Sequence, residues 1–446
     1  DIYSFVLAGL LITMGNLADR IGRKRLLLIG AGGFGVASVI AAFAPNPEIL
    51  IAARVLLGVA GATLMPSTLA IIRATFLDAT QRTTAIAIWA MGATAGAAVG
   101  PLVGGVLLEN FWWGSVFLIN VPVMVIVLVA GPILLSESRG SSALTIDVLS
   151  ALLSILAIVP VVYAVKHWAG SGLDWSVPVT AAFGLIMGYV FVRRQMRLPN
   201  PLLDLSLFRM PAFSGAVAAN GLAIFAFLGL LYFFSQYLQL VREYGPLKAG
   251  LAELPSTIAS MVVILFIGAL VARMGAGRSI GLGLSLGAVG LAGICMTVSM
   301  SSYWGLGISL VLIGLGIGIA MTLSTDAVVS AVPIERAGAA SSIAETAYEL
   351  GGALGIAVLG SVHLAMYHSH LNLSAGTDPS DAAIAESSLA STVADVADRV
   401  VVEHAQAAFV SAVQTTSVVA AVILAVSAVV AWRVIPSPAG CHSRYP

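Results

Sequence analysis

Long apolar runs, separated by short stretches of charge, proline and glycine, dominate the pattern of this chain. A helix needs about 20 mostly apolar residues to cross the hydrocarbon core of a bilayer, whereas a barrel strand needs about ten in an alternating pattern. The runs therefore predict an all-α membrane protein with about 13 spans. These lie near residues 2–16, 26–44, 48–72, 83–108, 113–135, 148–166, 178–193, 212–240, 249–272, 279–299, 303–325, 338–365 and 406–432.

The composition supports a membrane environment and excludes several other classes. Of the 446 residues, 59% are hydrophobic and only 9% are charged, whereas soluble domains carry about a quarter of charged residues. The 21 basic residues equal the 21 acidic ones, so no charge bias points to nucleic acid. Two cysteines offer neither a disulfide framework nor a metal cluster.

The positions of the basic residues predict the orientation, because Lys and Arg next to spans stay on the cytoplasmic side. If the loop around Arg23 lies inside, most of the 21 Lys and Arg residues fall in inside loops. This orientation predicts a multi-pass protein of the plasma (cell inner) membrane with a cytoplasmic C-terminus. It also predicts an extracellular loop near 367–404, rich in Ala and Ser, with room for a short surface helix.

Two sequence patterns recur at nearly equal offsets. The stretch from Gly15 to Arg25 (GNLADRIGRKR) is echoed from Gly268 to Arg278 (GALVARMGAGR), and glycines 96, 100 and 105 are echoed by 351, 355 and 360. Duplicated helical units of this kind build many secondary transporters. We expect an N-terminal repeat at 1–137, an inserted helix pair at 138–210 and a C-terminal six-helix repeat at 211–446. The first repeat lacks a counterpart of the 212–240 span, which predicts one further N-terminal helix and 14 spans in the intact protein.

The first copy of the repeated loop combines an acid, two glycines and four basic residues in a very short turn. The candidate residues are Gly15, Asp19, Arg20, Gly22 and Arg23. The positive-inside rule alone explains the basic residues but neither the acid nor the paired glycines. The functional hypothesis is a conformational latch. In it, Asp19 sits near a neighbouring helix N-terminus or pairs with an arginine, and so holds two halves together in one conformer.

At this point the chain resembles the major facilitator superfamily, and within it the 14-helix drug:proton antiporter branch. The similar stretches are GNLADRIGRKR, LIAARVLLGVAGA with Arg54 and Gly58, AGAAVGPLVGG at 95–105, PLLDLSLF at 201–208, YLQ at 237–239, and Trp113, Phe117, Asn120 and Pro122. The branch also has a first-helix motif with a membrane-embedded Asp, which is not in this chain as given. The resemblance implies export of drugs in exchange for protons.

The antiporter motif of that branch corresponds to a stripe of small residues within one span. The stripe consists of Gly96, Gly100, Pro101, Gly104 and Gly105. Small residues let helices approach closely and proline introduces a kink, so helix packing alone is the alternative explanation. The resemblance implies that this kinked helix favours export over uptake.

Charge inside the membrane is the most discriminating signal, because an ionisable group at mid-bilayer costs at least about 2.5 to 3.5 kcal/mol and usually serves transport. Glu345 and Glu349 lie four residues apart and share one face of a helix. If that helix starts near Gly338, Glu349 lies about 16 Å along it. Burial and mutual repulsion favour the protonated form of at least one carboxyl group. The alternative is a helix that starts later, with Glu345 at the interface.

Two further charged residues are candidates for proton coupling or substrate binding. Glu253 lies about 6 Å into its helix, where an interfacial acid is an equally good explanation. Arg54 lies about 9 Å in and is long enough to snorkel, while the resemblance implies that it assists proton relay. Asp147 and Asp326 are expected to cap helices or to be solvated in loops.

Together these features predict a proton-coupled exporter of small amphipathic, often cationic drugs, which works by rocking of two repeats and acts as a monomer. The expected partners are the drugs, protons and the lipid bilayer, without nucleic acid. We expect no enzymatic activity, no cofactor and no metal site; His368 and His370 lack further ligands, and no phosphate-binding loop motif occurs. The open alternatives are export of a dedicated metabolite or lipid, and uptake by symport. A receptor or channel would not account for the buried acids and the latch.

Overall fold

The computed structural model describes residues 2–140, 147–171, 174–199, 201–373 and 377–435. Every regular element among these residues is a helix, which confirms the all-α prediction. The helices are α1 (Ile2–Ile21), α2 (Arg23–Ala42), α3 (Pro47–Thr75), α4 (Ala79–Asn110), α5 (Ser115–Leu118), α6 (Asn120–Leu134), α7 (Val148–Ser171), α8 (Ser176–Gln195), α9 (Pro211–Gln236), α10 (Pro246–Val262), α11 (Ile264–Met274), α12 (Ala276–Thr297), α13 (Trp304–Ser330), α14 (Ala337–His370), α15 (Pro379–Ser387), α16 (Leu389–Asp395) and α17 (Arg399–Val434).

Each predicted apolar run coincides with a helix or with a consecutive pair of helices. By length and composition, 11 helical segments within the described residues could cross a membrane. The pair α10 and α11, bent by 49°, could make a twelfth. The run at 83–108 lies within the continuous helix α4. The count of 14 spans stays a prediction, as does the division into two repeats and an inserted pair.

Local sequence signals explain where several helices begin. The Asn46 side chain accepts a hydrogen bond from the Ile49 amide at 2.9 Å and starts α3, and Asp78 accepts one from Gln81 at 2.9 Å and starts α4. Gly22 and Gly275 precede α2 and α12 with φ of 113° and 79°, a backbone region that favours glycine. Both copies of the repeated loop thus turn on an equivalent glycine.

The described residues divide into two compact units, of which the first comprises those within 2–220, Thr322–Leu350 and 434–435. Within it, α1 packs on α3 and α7, α2 packs on α3 and α6, and α7 packs on α8. One of its apolar cores joins Ile12 of α1, Leu153 of α7, Phe191 of α8 and Leu202. The predicted inserted pair, α7 and α8, therefore packs directly on α1.

Among the described residues, the second unit comprises Gly221–Met321 and Gly351–Arg433. Its helix packing depends on glycines, because a β-carbon at Gly351 or Gly355 of α14 would collide with a carbonyl oxygen of α9. The predicted extracellular loop contains two short helices, α15 and α16, over a small core that includes Ala385, Val396 and Val401.

Candidate functional site: a helix-capping loop and a buried carboxyl group

The loop between α1 and α2 holds a fully buried ion pair. Arg23 donates to the Asp19 carboxylate from Nε at 3.0 Å and from Nη2 at 2.8 Å, and both side chains are 0% exposed. Gly22 makes the tight turn that brings α2 back beside the end of α1. Because burying two charges is expensive, such a pair persists only where further hydrogen bonds satisfy it.

Those further hydrogen bonds come from the first turn of α14. The Gly338 amide donates to Asp19 Oδ1 at 3.0 Å and the Ala339 amide donates to Oδ2 at 3.1 Å. A carboxylate at a helix N-terminus satisfies unpaired amides and interacts favourably with the helix dipole. The two helices touch here, since a β-carbon on Gly15 would lie only 2.6 Å from Ser342 Cβ. The structure thus brings together both contacts that the sequence suggested as alternatives for Asp19.

The segment after α6 completes this cluster. The Gly140 amide donates to the Asp19 carbonyl at 2.7 Å, and the Arg23 amide donates to the Ser138 carbonyl at 3.1 Å. Arg23 Nη2 also donates to the Ile334 carbonyl oxygen. Glu137 accepts from the amides of the first residues of α2, at 3.2 and 3.3 Å. The sequence did not predict these partners, because each of these hydrogen bonds uses at least one backbone group, and backbone groups leave no signal in residue type.

A second ion pair lies close to the end of α13. Arg82 Nε of α4 donates to Asp326 Oδ1 at 2.9 Å, and the Thr83 hydroxyl donates to Oδ2 at 2.6 Å. The Arg82 and Asp326 side chains are 9% and 15% exposed. The expectation that Asp326 caps a helix or is solvated is therefore wrong: it lies within α13 and binds α4.

A third ion pair involves the PLLDLSLF segment. Arg336 Nη1 donates to Asp204 Oδ2 at 2.7 Å, and Asn16 Nδ2 of α1 donates to the Leu202 carbonyl at 2.9 Å. Partial burial alone would raise the pKa of Asp204. Hydrogen bonds from Ser206 and the charge of Arg336 outweigh burial and hold that pKa below its ordinary value. Asp204 is therefore a carboxylate at neutral pH.

The PLLDLSLF segment is also attached to the predicted inserted pair. Gln195 of α8 accepts from the Leu202 amide at 2.7 Å and donates to the Ser150 hydroxyl at 2.8 Å. Asp147 caps α7 through the Ser150 amide, as expected, and pairs with Arg194 at 2.8 Å. Burial opposes ionisation of Asp147, but the Ser150 and Arg194 hydrogen bonds prevail and keep its pKa below the ordinary value.

Glu345 and Glu349 occupy the third and fourth turns of α14. The helix starts at Ala337, close to the predicted start, so neither acid lies at its end. Glu345 is 6% exposed, and no described residue forms a hydrogen bond or ion pair with it. Glu349 is half-buried and interacts electrostatically with Lys166 of α7 and with Tyr3 of α1. A buried carboxyl group without a partner is a group that a proton or a cation can neutralise.

Glu253 belongs to the second unit. It lies half-buried in α10, and its Oε1 atom is enclosed with no hydrogen-bond partner among the described residues. Ser235 of α9 and Tyr303 interact with the same carboxyl group. A role of Glu253 in proton coupling or substrate binding stays a prediction, as does the alternative of an interfacial acid.

The two other predicted basic residues lie outside these clusters. Arg54 is exposed, with its guanidinium carbon 5.5 Å from the centre of the Phe117 ring, and no acid among the described residues pairs with it. Arg20 is exposed at the end of α1. A role of Arg54 in proton relay, like the role of Arg20 in the latch, stays a prediction.

The stripe of small residues in α4 contacts little in this conformation. No described atom comes within 4 Å of a β-carbon built on Gly96, Gly100, Gly104 or Gly105. Pro101 lies in the helix, and its side chain is outside the described part of the chain. The repeated glycines of α14, by contrast, touch α9. Within the described part of the chain these four glycines thus make no close helix contact, and the antiporter role of the stripe stays a prediction.

Comparison with known proteins agrees with these features. A family model described as Major Facilitator Superfamily matches residues 2–356, which is most of the chain. The chain belongs to this superfamily. It is 44% identical over 437 residues to the multidrug efflux pump LfrA of Mycolicibacterium smegmatis, covering 96% of this chain and 87% of LfrA. It is 36% identical over 394 residues to the methyl viologen resistance protein SmvA of Salmonella typhimurium, covering 88% of this chain and 80% of SmvA.

The fold is also found among solved structures. The human organic anion transporter MFSD10 (TETRAN) superposes with a TM-score of 0.59, covering 95% of this chain and 81% of that structure. At 17% sequence identity this similarity shows the fold alone. The chain is thus a multi-pass membrane protein of the Major Facilitator Superfamily, as the sequence predicted.

Proposed function

We propose that this protein is a proton-coupled multidrug efflux transporter, which exports amphipathic and often cationic compounds by alternating access across the plasma membrane. Its similarity to LfrA and SmvA supports drug export. The observation that carries proton coupling is Glu345, a carboxyl group that is 6% exposed, in a membrane-spanning helix, without a hydrogen-bond or ion-pair partner among the described residues.

The chemistry follows from the cost of buried charge. A carboxylate in this environment is stabilised by a proton or by a cationic substrate, and gains much less from both together. Glu349, one helical turn away, shares the same face and adds to this competition. Binding of a cation on one side of the membrane then favours proton release, and protonation on the other side favours release of the cation.

The three ion pairs supply the conformational part of the cycle. Asp19–Arg23, Arg82–Asp326 and Asp204–Arg336 all tie segments before residue 220 to the stretch from 326 to 339. In the predicted orientation they lie on the cytoplasmic side. Opening toward the cytoplasm requires these contacts to break, so they favour the conformer that is closed there. The protein carries out this cycle as a monomer with a cytoplasmic C-terminus.

Ethidium efflux from cells that express the full-length gene tests this function. We expect active extrusion that a protonophore abolishes, even when ATP remains available. Extrusion that survives the protonophore but stops on ATP depletion would contradict proton coupling. Failure to extrude any lipophilic cation, in cells where the protein reaches the membrane, would instead favour a dedicated metabolite or lipid as substrate.

Glu345→Gln is the informative variant, because glutamine keeps the shape and removes the proton site. Glu386→Gln is a matched control, since Glu386 is an exposed carboxylate on α15. Gradient-driven efflux should fall at least about tenfold for Glu345→Gln and stay at the parental rate for Glu386→Gln. Parental efflux by Glu345→Gln would remove Glu345 from the coupling mechanism.

A further inference from the structure

Lys166 lies on α7, the first helix of the predicted inserted pair, and α7 packs along α1. A β-carbon on Gly9 of α1 would lie 2.8 Å from Val159 Cγ2 of α7, which marks a close approach of the two helices. Further along, the Phe5 and Tyr163 rings are 6.0 Å apart, and Lys166 Nζ lies 5.2 Å from the centre of the Phe5 ring. The ammonium group is thus held over an aromatic side chain of α1.

Helix α14 packs on α1 in antiparallel register. Asp19 contacts Gly338 and Ala339, and Gly15 contacts Ser342, so later residues of α14 meet earlier residues of α1. Glu349 lies seven residues after Ser342, on the same face of α14. This separation is about two helical turns, or about 10.5 Å along the axis in total. The same step leads from Gly15 back to Ala8, which is buried.

Glu349 is therefore level with the turn of α1 that precedes Gly9, one turn from Phe5. This placement agrees with its electrostatic interactions with Tyr3 of α1 and Lys166 of α7. Both Glu349 and Lys166 are half-buried, so water screens their charges less than at the surface. The Glu349 carboxyl group and the Lys166 ammonium group are therefore close enough to interact electrostatically beside α1.

We infer that Lys166 is a specificity-determining residue, which sets the preference of the transporter for substrate charge by opposing positive charge that approaches Glu349. This inference rests on the proposed function. It gives α7, the first helix of the predicted inserted pair, a part in substrate selection. A substrate cation must be neutralised by Glu349 while it is repelled by Lys166. The balance favours monocations and neutral compounds over dications.

The effect of removing the ammonium group scales with substrate charge. For charges on the order of 10 Å apart, in a medium of effective dielectric constant about 40, Coulomb's law gives about a fourfold gain in affinity for a monocation. A compact dication gains up to the square of that factor, about 16-fold. The affinity for a neutral compound does not change when the ammonium charge is removed.

The test measures binding to the purified full-length protein at one pH, using tryptophan fluorescence. The probes are N-phenyl-1-naphthylamine (neutral), ethidium (monocation) and methyl viologen (dication). In Lys166→Gln we expect affinity to be unchanged for the first, about fourfold higher for the second and up to about 16-fold higher for the third. Lys166→Arg keeps the charge and should behave like the parent.

Two further variants keep the test informative. Lys166→Met replaces Lys166→Gln if the latter does not fold. His167→Gln is the matched control on the same helix, because His167 pairs with Asp174, at 3.3 Å, rather than with α1 or α14. Changes of equal size for all three probes, or no change for either cation, would overturn the role of Lys166 while leaving drug binding intact. A parent protein that binds none of the probes would overturn the proposed function as well.

Discussion

The loop from Gly15 to Arg25 and its repeat from Gly268 to Arg278 share the same kind of glycine turn but differ in charge. In both, a glycine with positive φ ends one helix and starts the next. In the first copy Asp19 and Arg23 form a fully buried pair on the N-terminus of α14. In the second copy Ala272 and Ala276 stand at the equivalent positions.

The comparison separates what the fold needs from what the first loop adds. The positive φ of Gly22 and Gly275 serves the turn, and it is kept in both copies. The acid and its arginine are not needed for the turn, since α12 starts without them. They fasten α1 to α14, the helix that carries Glu345 and Glu349. We therefore expect the first loop to respond to charge changes far more strongly than the second.

The largest effect is expected for Asp19→Ala. This variant leaves Arg23 buried without a counter-charge and removes the acceptor for the Gly338 and Ala339 amides. The free energy of unfolding should fall by about 3 to 5 kcal/mol, the usual cost of breaking a buried pair. Ala272→Asn, at the exposed equivalent position, should change it by no more than about 0.5 kcal/mol. Thermal unfolding in lipid nanodiscs measures both.

The variant Asp19→Asn tests whether the buried ion pair also controls the rate of transport. Asparagine keeps the shape, so we expect ethidium efflux to fall more than the amount of protein in the membrane. Similar unfolding temperatures for Asp19→Ala and Ala272→Asn would erase the difference between the two loops. Normal efflux by Asp19→Asn would show that the loop from Gly15 to Arg25 determines membrane topology but does not take part in transport.

An intermediate effect is expected at the second ion pair. Arg82→Gln removes a charge-assisted hydrogen bond to Asp326, although Thr83 and Ser330 still donate to that carboxylate. The free energy of unfolding should fall by about 1.5 to 3 kcal/mol. In a double-mutant cycle, Asp326→Asn should add little to Arg82→Gln. Additive losses would show that the two side chains contribute independently and that this contact is not a tie between α4 and α13.

Sequence predicted the helices well, because apolar runs of membrane length leave few alternatives. It also identified Asp19 as a residue with a special environment, because one acid between two glycines and four basic residues departs from the positive-inside pattern. It failed for Asp326, whose partner Arg82 comes from a different helix far away in sequence. The same applies to the electrostatic interaction of Lys166 with Glu349, which depends on the packing of α7 and α14 on α1. The sequence of neither helix indicates that the two residues are neighbours.

The smallest effect is expected at Asp204 and Arg336, whose side chains are 29% and 37% exposed. Asp204→Asn should lower the free energy of unfolding by up to about 1 kcal/mol near neutral pH. Because the pKa of Asp204 is below its unfolded value, the ion pair stabilises fully above about pH 4. That contribution is lost as the pH falls through the folded pKa. The difference between parent and variant should be constant from about pH 8 to pH 5 and should shrink progressively as the pH falls further.

Unfolding monitored by near-ultraviolet circular dichroism across this range checks the prediction. Arg336→Gln should reproduce the pH dependence, since it removes the same ion pair. A difference between parent and Asp204→Asn that changes between pH 8 and pH 5 would show that another titrating group controls this contact.

Proton release on drug binding shows directly whether the carboxyl groups of α14 exchange a proton for a cation. Ethidium is added to the purified full-length protein in weakly buffered solution, and the pH is recorded for the parent, the double variant Glu345→Gln/Glu349→Gln and the control Glu386→Gln. We expect ethidium binding to acidify the solution for the parent and the control, but not for the double variant. Equal acidification by all three proteins, or none by the parent despite ethidium binding, would contradict this exchange.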